Sequence, residues 1–182
     1  MNFINVKNLH FAVLENEEPI TYTDFERLAP AVSIGVSTET SEATYEADGQ
    51  VQEAIAQLSK LSVSIQCQAI GLEKTAKLLG HRYDAENGSM VQNAGDRAPY
   101  VCLAYARERA DGSMRYVKLW KVKFAIPSEE AKTGGSSTEF QDMTIEGVGL
   151  PLANGDYKYN IEANGNNEAE IEAFFINPIY KA

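Results

Sequence analysis

Residues 61–69 (LSVSIQCQA) alternate apolar and polar side chains almost without interruption. Successive side chains of an extended chain point to opposite faces. Leu61, Val63, Ile65, Cys67 and Ala69 therefore form one row, and Ser62, Ser64, Gln66 and Gln68 form the other. A helix would scatter the apolar set around its axis, so the segment is a strand with one face in a core. The polar row carries no charge, whereas a face turned only to solvent normally includes Lys or Glu. It is a candidate for a seam between subunits or the lining of a lumen, beside the ordinary reading as a wet face.

The same period recurs along the chain. Residues 9–14 (LHFAVL) read as a first strand. In residues 31–38, Val32, Ile34 and Val36 oppose Ser33, Gly35 and Ser37. Residues 100–109 and 114–124 form a hairpin around Ala110-Asp111-Gly112-Ser113, because Asp-Gly between two alternating runs favours a tight turn. Within the second strand the phase changes: Val117 and Leu119 share one face, then Trp120, Val122 and Phe124 share the other. A bulge or corner near Leu119 is the expected cause. Further strands are expected at 140–150 and 156–162, with Asn154-Gly155 in the turn between them.

One helix is clear, at residues 72–79. Leu72, Ala76 and Leu79 recur at helical spacing, and Gly80 follows where a left-handed residue closes a helix. Residues 51–58 (VQEAIAQL) align Val51, Ile55 and Leu58 at helical spacing but suit a strand equally well. Residues 127–138 (PSEEAKTGGSST) read as a loop. The tail beyond residue 163 ends in Ile171, Phe174, Phe175 and Ile176, an apolar patch expected to dock on the body or on a partner. The fold class is mainly β: an antiparallel β-sandwich or barrel with one short flanking α-helix and a long loop, in one domain of residues 1–182.

Charge narrows the function. The net charge is −10, from 26 acidic and 16 basic residues. A protein that grips a phosphate backbone needs clustered Lys and Arg, so this balance suits a surface that DNA passes without adhering. No apolar run approaches the roughly 18 residues of a membrane helix. Residues 1–14 lack a basic segment followed by a long apolar run. The expectation is synthesis and folding in a cytoplasm, with no membrane. Cys67 and Cys102 lie inside strand-like runs and read as buried thiols rather than a disulfide scaffold.

No constellation carries catalysis or a cofactor. His10 and His81 lack a second His or Cys at ligand spacing, so no metal site is indicated. There is no GxSxG nucleophile elbow. Gly134-Gly135-Ser136-Ser137 lacks the Lys of a phosphate-binding loop. Glu17-Glu18 and Glu129-Glu130 read as solvated loop carboxylates. The expectation is a protein that is not an enzyme.

Two charged regions stand out. Residues 28–59 contain no Lys or Arg, yet hold Glu39, Glu42, Glu46, Asp48 and Glu53. The centre, residues 37–52 (STETSEATYEADGQVQ), is a long polar excursion of a kind usually tied to function. Glu39, Glu42, Tyr45, Glu46 and Asp48 are the candidate residues of an inter-subunit arm. The 100–124 hairpin gathers Arg107, Arg109, Arg115 and Lys118, with Lys121 and Lys123 further on. Alternation spreads these over both faces, as exposed strand charges or as partners of acidic groups on a neighbour. An acidic arm on one copy and a basic hairpin on the next give complementary ends, which build rings and filaments.

Several segments together resemble the major tail tube proteins of long-tailed (siphovirus-type) bacteriophages of Gram-positive bacteria. These are residues 6–14 (VKNLHFAVL), 31–40 (AVSIGVSTET), 78–84 (LLGHRYD), 98–124 (APYVCLAYARERADGSMRYVKLWKVKF) and 139–147 (EFQDMTIEG). The likeness covers about residues 5–150 and rests on the order and spacing of the pieces; residues 151–182 depart from it. It implies a tail tube fold, a β-sandwich with a flanking helix and a long loop. It implies hexameric rings that stack into a hollow tube, with the sheets of neighbours closing a lumen. It further implies a place in the virion tail and assembly with the tape measure, tail terminator and distal tail proteins. Double-stranded DNA would be present only in transit. Closing the sheets would also remove exposed strand edges.

Two other readings stay open on the residues alone. A small-molecule-binding β-barrel of the lipocalin kind would be a monomer with an apolar cavity, although the alternation supplies apolar rows for one filled core only. A tail terminator, or a tube protein of a contractile injection machine, would share the fold and differ in its outer surface.

Overall fold

A computed structural model describes residues 2–47, 50–128 and 142–176. In chain order the elements are β1 (Phe3–Glu17), β2 (Ile20–Tyr22), β3 (Glu26–Arg27), β4 (Ala31–Ala47), β5 (Gln50–Cys67), α1 (Leu72–Leu79), β6 (Arg82–Asp84), β7 (Ser89–Val91), β8 (Val101–Arg109), β9 (Met114–Phe124), β10 (Met143–Gly149), β11 (Lys158–Glu162) and α2 (Glu168–Glu172). Among the described residues, nine strands form one sheet in the order β2-β1-β8-β9-β10-β5-β4. In that sheet β3 also pairs with β1, and β11 with β9. Every pairing is antiparallel. The mainly antiparallel β architecture expected from the alternation is the one observed.

The sheet curls so that its two arms face a common core. Leu9 and Phe11 of β1, Val101, Leu103 and Tyr105 of β8, and Val117 and Leu119 of β9 lie on one side. Leu61, Val63, Ile65 and Cys67 of β5 and Ile145 of β10 come from the other, and α1 adds Leu78 and Leu79. The apolar row read from residues 61–67 is thus the core face of β5, while Ala69 lies beyond the strand and is exposed.

Strand β9 makes the corner. Leu103 pairs with Leu119 but Val101 pairs with Val122, so β9 carries one extra residue between these pairs. The bulge turns Trp120 to the opposite face, where it meets Ala12, Cys102 and Leu152 in a second cluster. It also divides the far edge of β9. Arg115 to Leu119 pair with β11, and Val122 to Phe124 pair with β10. The phase change near Leu119 has this cause. Strand β8 has a core on each face, which is why the run 101–106 is buried throughout.

Local signals placed the turns. Gly112 has φ 82° in the β8–β9 turn and Gly155 has φ 91° before β11. α1 ends at Leu79, and Gly80 closes it at φ 74°, its N–H donating to the Ala76 carbonyl. A Cβ at Gly80 would lie 2.2 Å from the Arg97 carbonyl oxygen. Gly80→Ala is expected to lower stability by about 1–3 kcal/mol through this strain. Chemical denaturation measures it, and an unchanged midpoint would show that the 97–98 backbone yields instead.

Three expectations need correction, and one open reading is decided. The first strand begins at Phe3, not near Leu9, because the polar segment before Leu9 pairs with Arg107 to Arg109 of β8. Residues 51–58, which suit helix or strand on the sequence, are strand. Val32 is 53% exposed rather than aligned with Ile34 and Val36, because the β4–β5 register shifts between Ala31 and Ser33. A second short helix, α2, lies in the tail. Most of the 127–138 loop falls outside the described residues.

Candidate assembly site

The β4–β5 hairpin dominates the outline of the chain. β5 pairs with β10 only from Leu61 to Cys67. From Gln50 to Lys60 its pairing partner among the described residues is β4. The polar excursion of residues 37–52 is therefore mostly a two-stranded ribbon continuing the sheet past its core, with Glu42, Tyr45 and Glu46 on β4. Asp48 lies outside the described residues. Glu39, at the ribbon's base, accepts a hydrogen bond from the Ser62 hydroxyl at 2.9 Å and pairs with Lys60 at 3.2 Å. The Ser62 hydroxyl first, and then Lys60, hold its carboxyl below the usual range.

The uncharged row lies at the foot of this ribbon on the face opposite the core. Ser62, Ser64 and Gln66 stand between Ser37, Gly35 and Ser33 of β4 and Val148, Glu146 and Thr144 of β10. Gln68 lies past the end of β5, its N–H bonded to the Pro30 carbonyl. The central side chains are small, so this face is concave. A trough of 760 Å³ runs over Gly35, Ser62, Ser64, Glu146 and Val148, with Lys123 at its rim. Gln66 donates to Asp142 at 3.2 Å. The row is uncharged, but carboxylates border it.

The four candidate basic residues separate into two groups. Arg107, Arg109 and Arg115 gather around the Phe3 ring, their guanidinium carbons 3.9, 5.4 and 5.0 Å from its centre. Arg109 and Arg115 both reach the same oxygen of Glu162 at 2.5 Å. These contacts hold the Glu162 carboxyl below its usual range, Arg115 contributing most. Lys118 departs from the expectation of an exposed strand charge: it is 5% exposed. Its ammonium lies 4.3 Å from the Phe174 ring centre, 5.4 Å from Phe25 and 5.8 Å from Trp120. The tail shares in this burial with Phe25 and Trp120. Phe174, 1% exposed, folds back beside Tyr116 and Tyr159, while Phe175 lies on His10. Glu170 of α2 accepts from the Tyr159 hydroxyl at 3.0 Å. Phe174 and Phe175 of the tail patch dock on the body through this seat, whereas Ile176 is 74% exposed.

Sequence reasoning missed Phe3, Glu162 and Lys158 in the cationic cluster. Only strand pairing brings them together, and no local motif marks them. His81 serves the base of α1: its Nδ1 lies 2.8 Å from Asp96. That bond, followed by the Asn93 N–H, holds the Asp96 carboxyl below its usual range. Cys67 and Cys102 are buried free thiols, and burial pushes the Cys102 thiol up to about 12. Such a thiol is protonated and inert at neutral pH.

No protein family model matches the chain, and no curated protein matches it. Among solved structures it is similar to the cryo-EM structure of the anti-feeding prophage cap, the AFP tube terminating cap. The TM-score is 0.42 at 10% sequence identity, over 90% of this chain and 93% of that chain.

Proposed function

We propose that this chain is a structural tube subunit of a phage-type tail, the major tail tube protein of a long-tailed bacteriophage. Copies join into hexameric rings, and the rings stack into a hollow tube that conducts DNA. The β4–β5 ribbon carries the proposal. An isolated two-stranded hairpin is marginal in water, and residues 38–41 at its base are exposed. A ribbon of this length gains its order from a surface beyond its own chain. The sequence resemblance to tail tube proteins supplies the class of partner: copies of itself, with tape measure, terminator and distal tail proteins at the ends and along the lumen. The location is the virion tail, and the role is structural rather than catalytic.

Sedimentation velocity over a concentration series tests the proposal. It expects growth from the 20.0 kDa chain to large assemblies. A monomer boundary throughout would count against it.

The Ser62–Ser64–Gln66 face is the proposed lumen lining. Small uncharged side chains bordered by Glu146 and Asp142, which outnumber Lys123 at the trough, repel phosphates weakly rather than hold them. Ser64→Lys with Gln66→Lys is expected to leave stability within about 0.5 kcal/mol, as surface changes do, and to permit tubes. DNA ejection from virions carrying the variant should slow several-fold. Unchanged ejection kinetics would remove the lumen assignment.

A further inference from the structure

The acidic ribbon and the Phe3 cluster lie at the same end of the sheet. Leu61 of β5 pairs with Gly149 of β10, which pairs with Val122 of β9. Because β5 and β9 both run antiparallel to β10, they run in the same direction. From this shared row β5 continues back to Gln50 and β9 back to Met114. Residues 50–60 alone span roughly 35 Å at strand rise.

The Phe3 cluster has excess positive charge. Arg107, Arg109, Arg115 and Lys158 stand against one carboxylate, Glu162. Nearby Glu108 is already matched by Lys7 at 2.8 Å. Arg107 and Lys158 are exposed and make no ion pair among the described residues. Desolvation first, then the charges of Arg107 and Arg115, lowers the Lys158 ammonium from its ordinary range. The Arg109–Arg115 pair shows the chemistry of the site: it holds a carboxylate by short charge-assisted hydrogen bonds.

We infer that this cluster is the docking site for the acidic ribbon of a second copy of the chain, with Arg107 and Lys158 receiving its carboxylates. The inference rests on the tube reading and deepens it. Charge selects the occupant. Residues 28–59 carry no Lys or Arg, and Glu42, Glu46 and Glu53 fall on the ribbon strands beyond Glu39, which Ser62 and Lys60 already engage. Both surfaces sit at one end of the sheet, so copies held in the same sense meet side by side. The contact is therefore one between neighbours in a ring. It also sets the order of events, since opposite charge speeds and orients encounter before apolar surfaces close.

Cross-linking and charge reversal test the inference on the full chain. A zero-length carbodiimide joins Lys158 to a carboxylate in contact with it, and trypsin releases residues 28–60 as one peptide. Mixed light and heavy isotope-labelled protein identifies links between copies. The expected product joins Lys158 of one copy to the 28–60 peptide of another. Arg107→Glu with Lys158→Glu, or Glu42→Lys with Glu46→Lys, should each weaken self-association about tenfold or more with unchanged thermal unfolding. Both reversals in one chain should restore it.

Links between copies that leave Lys158 free of the 28–60 peptide would overturn the inference, as would reversals that associate like the parent. Loss of duplex-oligonucleotide binding in the Arg107→Glu, Lys158→Glu chain, with self-association intact, would assign the cluster to nucleic acid and also overturn it. Linked dimers without rings in electron micrographs would support the contact and sink the tube reading. Tubes without the link would do the reverse.

Discussion

A chain lacking residues 45–49 will fold as the parent does and will not form tubes. The core is assembled from β1, β5, β8, β9, β10 and α1, and among the described residues its β5 members end at Leu61, with Leu58 packed against it from beyond that row. Shortening the distal ribbon leaves every one of these core residues in place. The thermal midpoint should stay within about 2 °C, the scale of a surface change of roughly 0.5 kcal/mol in a chain this size. Assembly should be lost altogether, because a ring needs every interface and the shortened ribbon no longer carries its terminal contacts. Circular dichroism and micrographs of one preparation read both quantities. Tubes of normal length from the deletion chain would remove the ribbon from the assembly surface.

Phe174→Ala will cost about 3–5 kcal/mol, the usual loss for a large aromatic taken from a packed site. Phe174 is 1% exposed and lies among Tyr116, Tyr159 and Phe175. It also covers the Lys118 ammonium at 4.3 Å, so the substitution opens a cavity and weakens a cation–π contact together. The thermal midpoint should fall on the order of 10 °C. Trimming of the tail by protease should quicken at the same time, since α2 is held to the body partly through this ring. Phe174→Leu, which keeps most of the apolar volume, should lose less than half as much. A loss below about 1 kcal/mol for the alanine variant would show that the tail seat contributes little to folding.

The parts of this fold that were legible in the sequence are those set by neighbours along the chain. Gly80 ended the helix because only a residue at home in the left-handed region closes it there. Asp111-Gly112 made the hairpin, and the shift of phase at Leu119 announced the bulge that turns Trp120 outward. The row Ser62, Ser64, Gln66 was readable as a non-core face because strand alternation is strict.

What was not legible depends on pieces distant in sequence. Residues 51–58 fit a helix as well as a strand, and pairing with residues 40–46 of β4 decides for the strand. Lys118 occupies a position that alternation marks only as strand, and its burial depends on Phe25 and Phe174, both distant in sequence. The polar run before Leu9 has no core face, yet it pairs along β8 and brings Phe3 among three arginines. Of the candidate assembly residues, composition marked the acidic arm and alternation marked the uncharged row. Phe3, Lys158 and Glu162, which give the cationic cluster its shape, were not.

A tube built from copies of this chain would be visible directly. Negative-stain electron microscopy of the purified protein, first dilute and then concentrated, tests it most directly. Rings and then hollow tubes of one diameter are expected, with a symmetry readable from end views. Isolated monomers at every concentration, with no ring or tube in any field, would contradict it.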